Sequence, residues 1–501
     1  MSTAVPFFDS EVQATLGEDP SQLPGEHRVH RRHGEGGSKN SAMNRVLLDF
    51  YRCPQRFIDF SLNGPLSYDP GYFAFGENTI CFGHSTRAAC GTSSTTELPD
   101  LSQRVEFRGS SVLLPFDPSA VVDNLRRERY IANGFAPRSI LSSRAVREVY
   151  YFLRPALAVS VRKHLQRLFH RGWDALRFPR WPVDTTVERI LERCLILSMK
   201  AQNLKELPFV WFWPEGAASA AMVTHDVETL SGLNFVSPLM DVDEQFNIRA
   251  SFQIIPQKRY RVPNDVVRAI RNRGFELNIQ DLEHDGNLFS TREQFLKRAN
   301  SINRYLRRYE ALGFRAGRMY RNPDWYGALD VSYDMSIPTV AHLEAQRGGC
   351  CTIFPYFIGD ILELPLTTIQ DYCLLNILDD YTTTLWQQQV ALIRESNGLA
   401  SFLVHPDYIQ RPKALEVYKR LLRHLVDLRA NKGVWIALPR EIDRWWRQRS
   451  QMSVVRSGNA WQIEGAGRER ARLAYARLCG DRLLFTVEAT GDLPGRSRTS
   501  S

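Results

Sequence analysis

The stretch AAMVTHDVE, residues 220–228, decides how the second half of this chain is interpreted. Four apolar residues lead into a threonine, a histidine, an aspartate and a glutamate. A short apolar run of this kind predicts a buried strand, and the polar residues mark its carboxyl end. Since side chains alternate along an extended segment, Asp226 and Glu228 are expected on one side and His225 on the other.

The same texture recurs between residues 209 and 439, where short apolar runs alternate with charged helical stretches. Examples are RASFQIIP (249–256), FELNIQDLEHD (275–285), STREQFLKRANSINRYLRRYEALG (290–313) and LASFLVHPDYI (399–409). Repeated strand–helix units predict a parallel sheet covered by helices, and this length suits a distorted or incomplete (β/α) barrel. The polar strand ends would then converge on one face.

The remaining segments differ in composition from this α/β region, and 501 residues exceed one typical domain. Residues 1–42 are polar and glycine-rich and are expected to be disordered. We predict an N-terminal α+β domain over 43–137, a helical connector over 138–208 and the barrel over 209–446. A small β-rich module is predicted over 452–490, from two glycine-turned hairpin patterns.

Bulk properties narrow the classes of function and location. The net charge of +9 is spread along the chain, and without a dense basic block no nucleic-acid partner is expected. A basic helical face near Arg162 could contact anionic lipid, although a solvated face is the simpler interpretation. Eight cysteines without a regular spacing indicate reduced thiols. With no signal sequence and no run of about 20 apolar residues, we predict a cytoplasmic protein without a transmembrane segment.

The polar strand ends carry residue types suited to hydrolysis. Gln280 and His284 are four residues apart in QDLEH, which on a helical turn would place them on one face. A carboxylate with such a pair can hold a divalent metal and leave a position for water. A spare carboxylate could deprotonate that water and a histidine could protonate the leaving group. Hydrolysis of an amide or ester is the natural chemistry of this set.

Five motifs, in this order, resemble those of the polysaccharide deacetylases (carbohydrate esterase family 4): VTHDVE, ELNIQDLEHDG, GFRAGRMYRN, YDMSIP and FLVHPDY. The resemblance covers residues 221–408. It implies a distorted (β/α) barrel that removes acetyl groups from an N-acetylated oligo- or polysaccharide with the help of a metal ion, usually zinc. A role in cell-surface or exopolysaccharide metabolism would follow.

The resemblance also implies roles for individual residues. The implied catalytic residues are Asp226 as base, His405 as acid and Arg315 as the group that orients the base. The implied metal ligands are Glu228, Gln280 and His284. Asp334 is implied to line the substrate groove. Arg321, in MYRN, is interpreted either as a substrate contact or as a structural partner of a strand-end carboxylate.

Gln280 departs from the family pattern, which has a histidine at this position. A neutral amide oxygen is a weak zinc ligand compared with imidazole, thiolate or carboxylate. The sequence therefore leaves two functions open. The chain is either a metal-dependent deacetylase or a catalytically degenerate barrel that binds glycans or serves in assembly.

Overall fold

The computed structural model describes residues 39–87, 90–95, 97–131 and 172–488. The first part is an α+β region, as predicted. Its elements are α1 (Lys39–Tyr51), β1 (Phe60–Leu62), β2 (Gly71–Ala74), β3 (Ile80–Gly83), β4 (Glu106–Arg108), β5 (Ser111–Leu114) and α2 (Pro118–Arg126). Strands β2 and β3 form an antiparallel hairpin across the turn GENT, and β5 lies between β1 and β4.

The next elements lead into the barrel. Much of the predicted helical connector, including the basic face near Arg162, lies outside the described residues, as does the predicted disordered tail up to residue 38. The described remainder contains the helix α3 (Thr186–Ala201) and the strand β6 (Glu206–Val210). Helix α3 packs against α1 and α2, so its apolar face joins the core of the N-terminal region.

The α/β region contains nine strands and seven helices within the described residues. The strands are β7 (Ser219–Val227), β8 (Ser251–Ile254), β9 (Glu276–Gln280), β10 (Gly313–Arg315), β11 (Tyr333–Asp334), β12 (Tyr356–Ile358), β13 (Ile361–Glu363), β14 (Leu399–Leu403) and β15 (Val434–Ile436). The helices are α4 (Leu230–Asn234), α5 (Val236–Gln245), α6 (Asn264–Asn272), α7 (Arg292–Arg308), α8 (Thr384–Glu395), α9 (Pro412–Lys432) and α10 (Pro439–Ser450).

These nine strands form one sheet in the order β12-β13-β11-β10-β9-β8-β7-β14, and β15 also pairs with β7. All pairs are parallel except β12 with β13. Among the described strands, no pairing joins β12 to β14, so the barrel is incomplete. The predicted fold, a distorted (β/α) barrel, is confirmed.

Strand β7 lies inside the sheet and explains the composition of the opening stretch. All nine of its residues are buried, because strands or helices cover both of its faces. A parallel strand in this position is expected to be almost continuously apolar until it reaches its carboxyl end. The polar residues that follow its apolar half therefore lie at the carboxyl edge of the sheet.

The C-terminal residues form two antiparallel hairpins, β16 (Ser453–Ser457) with β17 (Ala460–Glu464), and β18 (Leu473–Cys479) with β19 (Arg482–Val487). Strand β18 also pairs with β6, which precedes the barrel. All eight cysteines are free in this structure. Within the described ranges, no helix combines the length and apolarity required to cross a membrane.

Candidate active site

Polar side chains from four strands meet at the carboxyl edge of the sheet. The parallel register pairs Arg315 of β10 with Gln280 of β9. On the other side of β7, Leu403 pairs with Thr224, so His405 lies beside Asp226 two residues further along each chain. The strand ends that the sequence places on one face are therefore brought together.

Asp226 is buried and held by two donors. Nη1 of Arg315 donates to its Oδ1 over 3.1 Å, and Nε2 of Gln280 donates to its Oδ2 over 2.9 Å. Arg315 is itself fixed, since its Nε donates to the carbonyl of Met335 and its Nη1 to Oγ1 of Thr224. Burial raises the pKa of Asp226, and Arg315 only partly opposes this rise. The carboxyl group thus has a fixed position and an increased affinity for a proton.

His405 is held by a carboxylate that the sequence analysis did not identify. Its Nδ1 lies 2.6 Å from Oδ1 of Asp371, and its backbone N–H donates to Oδ2 of the same residue over 2.8 Å. Burial lowers the pKa of His405, but the carboxylates of Asp371, Glu228 and Asp226 together outweigh it and raise the pKa to about 10. Nε2 lies 3.7 Å from Oε1 of Glu228, so the free ring nitrogen faces the site. At neutral pH His405 is therefore a positioned imidazolium.

Glu228 lies between the two histidines of the site. Nε2 of His284 is 3.0 Å from its Oε1, and the neighbouring ring nitrogen of His405 is 3.7 Å away. Burial would raise the pKa of Glu228, but His284, followed by His405 and Arg259, brings it well below its usual range. Glu228 is consequently ionised at all ordinary pH values.

Arg259 closes this group from the loop after β8. Its Nη2 donates to the carbonyl oxygen of His284 over 2.9 Å and lies 3.1 Å from Nδ1 of the same ring. A guanidinium group has only donors, so Nδ1 must accept and the ring proton resides on Nε2, next to Glu228. This arrangement fixes the tautomer of His284.

The residues predicted as metal ligands lie together, but they do not fit a zinc ion. The proton on Nε2 of His284 occupies the lone pair that a ligand would need, and a cation sits behind the ring where a metal-binding histidine usually has an acceptor. Gln280 donates its Nε2–H to Asp226, and its Oε1, buried without a hydrogen-bond partner among the described residues, is a neutral amide oxygen and so a weak zinc ligand. No group of three His, Cys, Asp or Glu side chains suited to a metal occurs in the described part of the chain.

The local structure around His284 differs from the prediction in one respect. Gln280 and His284 were expected on one helical turn, whereas Gln280 ends β9 and the residues after it form an irregular loop. Asp281 and His284 both have left-handed backbone angles, with φ of 52° and 53°. The expectation of a helical turn was therefore wrong, because two left-handed residues, and not a four-residue helical repeat, return His284 to the site.

The two residues predicted to bind substrate lie elsewhere. Arg321 is buried against Glu128 of the N-terminal region, with 2.7 Å from its Nε to Oε2. Arg321 thus has a structural partner, although that carboxylate follows helix α2 and does not lie at a strand end. Asp334 is fully buried and accepts from the backbone N–H and the hydroxyl of Ser336, beside Glu363. Neither placement fits a substrate contact.

His225 lies on the other side of β7 from Asp226, as its position in the strand predicts. Its Nδ1 bonds to the carbonyl of Val404, and its Nε2 lies 3.3 Å from Asp243 beneath the sheet. The sequence contained signals for the two residues that the analysis missed. Asp371 lies three residues after the apolar run ILELPLTT (361–368), and Arg259 lies three residues after RASFQIIP (249–256), so each comes shortly after a short apolar run.

No family model and no curated protein matches the chain. Solved structures do match. One is a "putative polysaccharide deacetylase" from Mycobacterium smegmatis, 17% identical over 50% of this chain and 98% of that chain, with a TM-score of 0.39. Polysaccharide deacetylases are thus among the structures similar to this one.

Two further matches are similarly distant. The Puue allantoinase is 15% identical over 47% of this chain and 92% of that chain, with a TM-score of 0.38. A "probable polysaccharide deacetylase" from Pseudomonas aeruginosa PAO1 is 14% identical over 46% of this chain and 91% of that chain, with a TM-score of 0.37. The roles proposed below for this chain's residues rest on its own side-chain contacts.

Proposed function

We propose that this chain is an amide hydrolase that removes acetyl groups from an N-acetylated sugar. One observation carries the proposal, namely a buried base and a buried acid on neighbouring strand ends. Asp226 is fixed by Arg315, and His405 is fixed as an imidazolium by Asp371. A carboxylate that can take a proton and an imidazolium that can give one, fixed on neighbouring strand ends, are the usual equipment of acid–base hydrolysis.

In the proposed reaction, Asp226 takes a proton from water while the water oxygen bonds to the acetyl carbon. The carbon–nitrogen bond then breaks, its electron pair remains on nitrogen, and that nitrogen takes the proton of His405. Acetic acid and a free amine leave. A proton passing from Asp226 to His405 through solvent restores both groups, so the net reaction consumes only the amide and one water.

The sugar substrate and the cellular role extend this proposal beyond the site itself. The five motifs resemble those of polysaccharide deacetylases, which supports an N-acetylated oligo- or polysaccharide as substrate. We propose that the reaction belongs to cell-surface or exopolysaccharide metabolism and takes place in the cytoplasm. The eight cysteines without a regular spacing, which indicate reduced thiols, support a reducing compartment.

Replacement of Asp226 by asparagine tests the catalytic assignment. We expect the wild type to release acetate from chitotetraose. In Asp226→Asn the rate of release should fall at least about a hundredfold, while the circular dichroism spectrum stays unchanged. Asp243→Asn is the matched control, because Asp243 is also a buried aspartate but contacts His225 beneath the sheet. Equal turnover by Asp226→Asn and the wild type would contradict the assignment.

A second candidate function is binding of a glycan without hydrolysis. The bond from Gln280 to Asp226 favours it, since an amide donor on a catalytic base lowers its ability to take a proton from water. Gln280→His separates the candidates when compared with the wild type for zinc content and acetate release. Inactive wild type and inactive Gln280→His, both retaining affinity for chitotetraose, would support binding alone.

A further inference from the structure

A cleft of about 530 Å³ lies between the loop after β8 and the last turn of α7. We call it the arginine cleft; its main lining residues are Pro256, Arg261, Tyr305, Arg308 and Tyr309. This volume lies within the usual range for small-molecule sites. None of these residues belongs to the active site described above.

Two tyrosines form one wall of the arginine cleft. The rings of Tyr305 and Tyr309, one helical turn apart, are stacked at 6.0 Å with an interplanar angle of 15°. Nε2 of Gln257 donates to the hydroxyl of Tyr305 over 3.2 Å, which holds that ring in place. Fixed aromatic rings provide a flat apolar surface with a polar edge, suited to a ring-shaped polar ligand.

Two arginines supply uncompensated positive charge. Neither Arg261 nor Arg308 forms an ion pair with a carboxylate of the described residues. The guanidinium carbon of Arg308 instead lies 5.5 Å from the ring centre of Tyr309. By contrast, Lys258 of the same loop is 2.8 Å from Glu283. Two unpaired guanidinium groups in one cavity favour an anionic ligand, and their paired N–H groups match a carboxylate.

The loop that lines the arginine cleft also contacts the active site. The backbone N–H of Gln257 donates to the carbonyl of Leu282 over 3.1 Å, and Arg259 reaches His284. Arg259 lies two residues before Arg261. A polymer bound with one unit at His284 would therefore have the arginine cleft as its neighbouring contact along this loop.

We propose that the arginine cleft binds a carboxylate-bearing sugar, a uronic acid unit, of the polymer that this protein acts on. The guanidinium groups of Arg261 and Arg308 bind the carboxylate, and the tyrosine wall contacts the sugar ring. This inference rests on the proposed function for its link to catalysis. The binding itself requires no hydrolysis.

Calorimetric titration with tetragalacturonate tests the proposal. This probe has no N-acetyl group, so its binding is measured independently of acetate release. We expect wild-type protein to bind it at about 0.15 M salt, and Arg261→Gln and Arg308→Gln each to weaken binding about tenfold or more. Arg304→Gln is the matched control, because Arg304 is an exposed arginine of the same helix whose Nη2 donates to Ser301 and it does not line the cleft.

The outcomes separate this proposal from the proposed function. Tetragalacturonate binding that depends on Arg308, without acetate release from any N-acetylated sugar, would support the cleft and contradict the hydrolase. Acetate release without tetragalacturonate binding would do the reverse. The cleft assignment is overturned if Arg308→Gln binds as tightly as the wild type, or if inorganic phosphate at the same concentration displaces the tetramer.

Discussion

Replacing Asp371 by asparagine tests the state of the proposed acid. The difference between the ordinary pKa of 6.5 and the raised value of about 10 for His405 corresponds to about 5 kcal/mol in favour of the imidazolium. Asp371 is the largest cause that raises this pKa, while burial opposes it. Asparagine retains an oxygen for the backbone N–H of His405 but removes the charge. We expect the pKa of His405 to fall below about 8 in Asp371→Asn.

The expected effect on activity follows from the protonated share of His405. At pH 9 this share would fall about tenfold or more in Asp371→Asn, whereas at pH 6 both proteins would keep the acid protonated. The rate of acetate release should therefore drop at pH 9 and change little at pH 6. The alkaline limb of kcat/KM should move toward lower pH by about two units or more.

The pKa itself is measured by NMR of protein labelled at its histidine rings, with His405→Gln identifying the signal. This measurement does not depend on turnover. Asp243→Asn is the control, since it removes the charge beside His225 and leaves His405 untouched. A wild-type His405 that titrates near 6.5, or an Asp371→Asn signal that moves by less than about half a pH unit, would refute the reasoning.

The remaining predictions concern stability. Because Nε2 of His284 carries a proton, added zinc should leave the thermal midpoint unchanged, and a rise that EDTA reverses would contradict this. Glu128→Gln leaves Arg321 as an unpaired buried cation and should lower the free energy of unfolding, measured by chemical denaturation, by about 3–5 kcal/mol. The exposed Glu416→Gln is the control and should leave the denaturation midpoint unchanged. Thr291→Ala removes the side-chain cap of α7 and should lower the free energy of unfolding by about 1 kcal/mol. An unchanged denaturation midpoint would show that the cap contributes nothing to stability.

His405 also makes the stability of the folded protein depend on pH. The folded state holds His405 at a pKa above its unfolded value, so folding favours the protonated form. Its contribution is complete below about pH 6.5 and is lost as the pH rises through about 10. Unfolding free energies measured between pH 6 and pH 10 should therefore decrease toward alkaline pH in the wild type and depend less on pH in Asp371→Asn. Equal slopes in the two proteins would contradict this assignment.

The convergence of the polar strand ends could be predicted from the sequence, because the carboxyl ends of neighbouring parallel strands lie at one edge of a sheet. This rule placed Asp226, Glu228 and His405 together although His405 follows the other two by more than a third of the chain. The rule says nothing about backbone handedness, so the loop that turns His284 back was expected as a helix. It also cannot identify a distant partner, and Glu128, 193 residues before Arg321, decides where that arginine points.

The function of the site was predictable only in part. Residue types at the strand ends indicated hydrolysis, but the protonation of each group depends on neighbours from other loops. Arg259 and Asp371 lie on two such loops and set the states of His284 and His405. A spacing of four residues between Gln280 and His284 could not reveal that a guanidinium group stands behind the ring.

The pairing of β18 with β6 has a consequence for attempts to shorten the chain. A cut after Met452 follows a natural boundary in the sequence, yet it would remove the partner strand of Glu206–Val210. Among the described strands, β6 has no other ladder partner, so its backbone N–H and C=O groups would become an open edge. Open edges recruit strands from other molecules. The truncated protein is therefore expected to aggregate during expression, even though every residue of the barrel is retained.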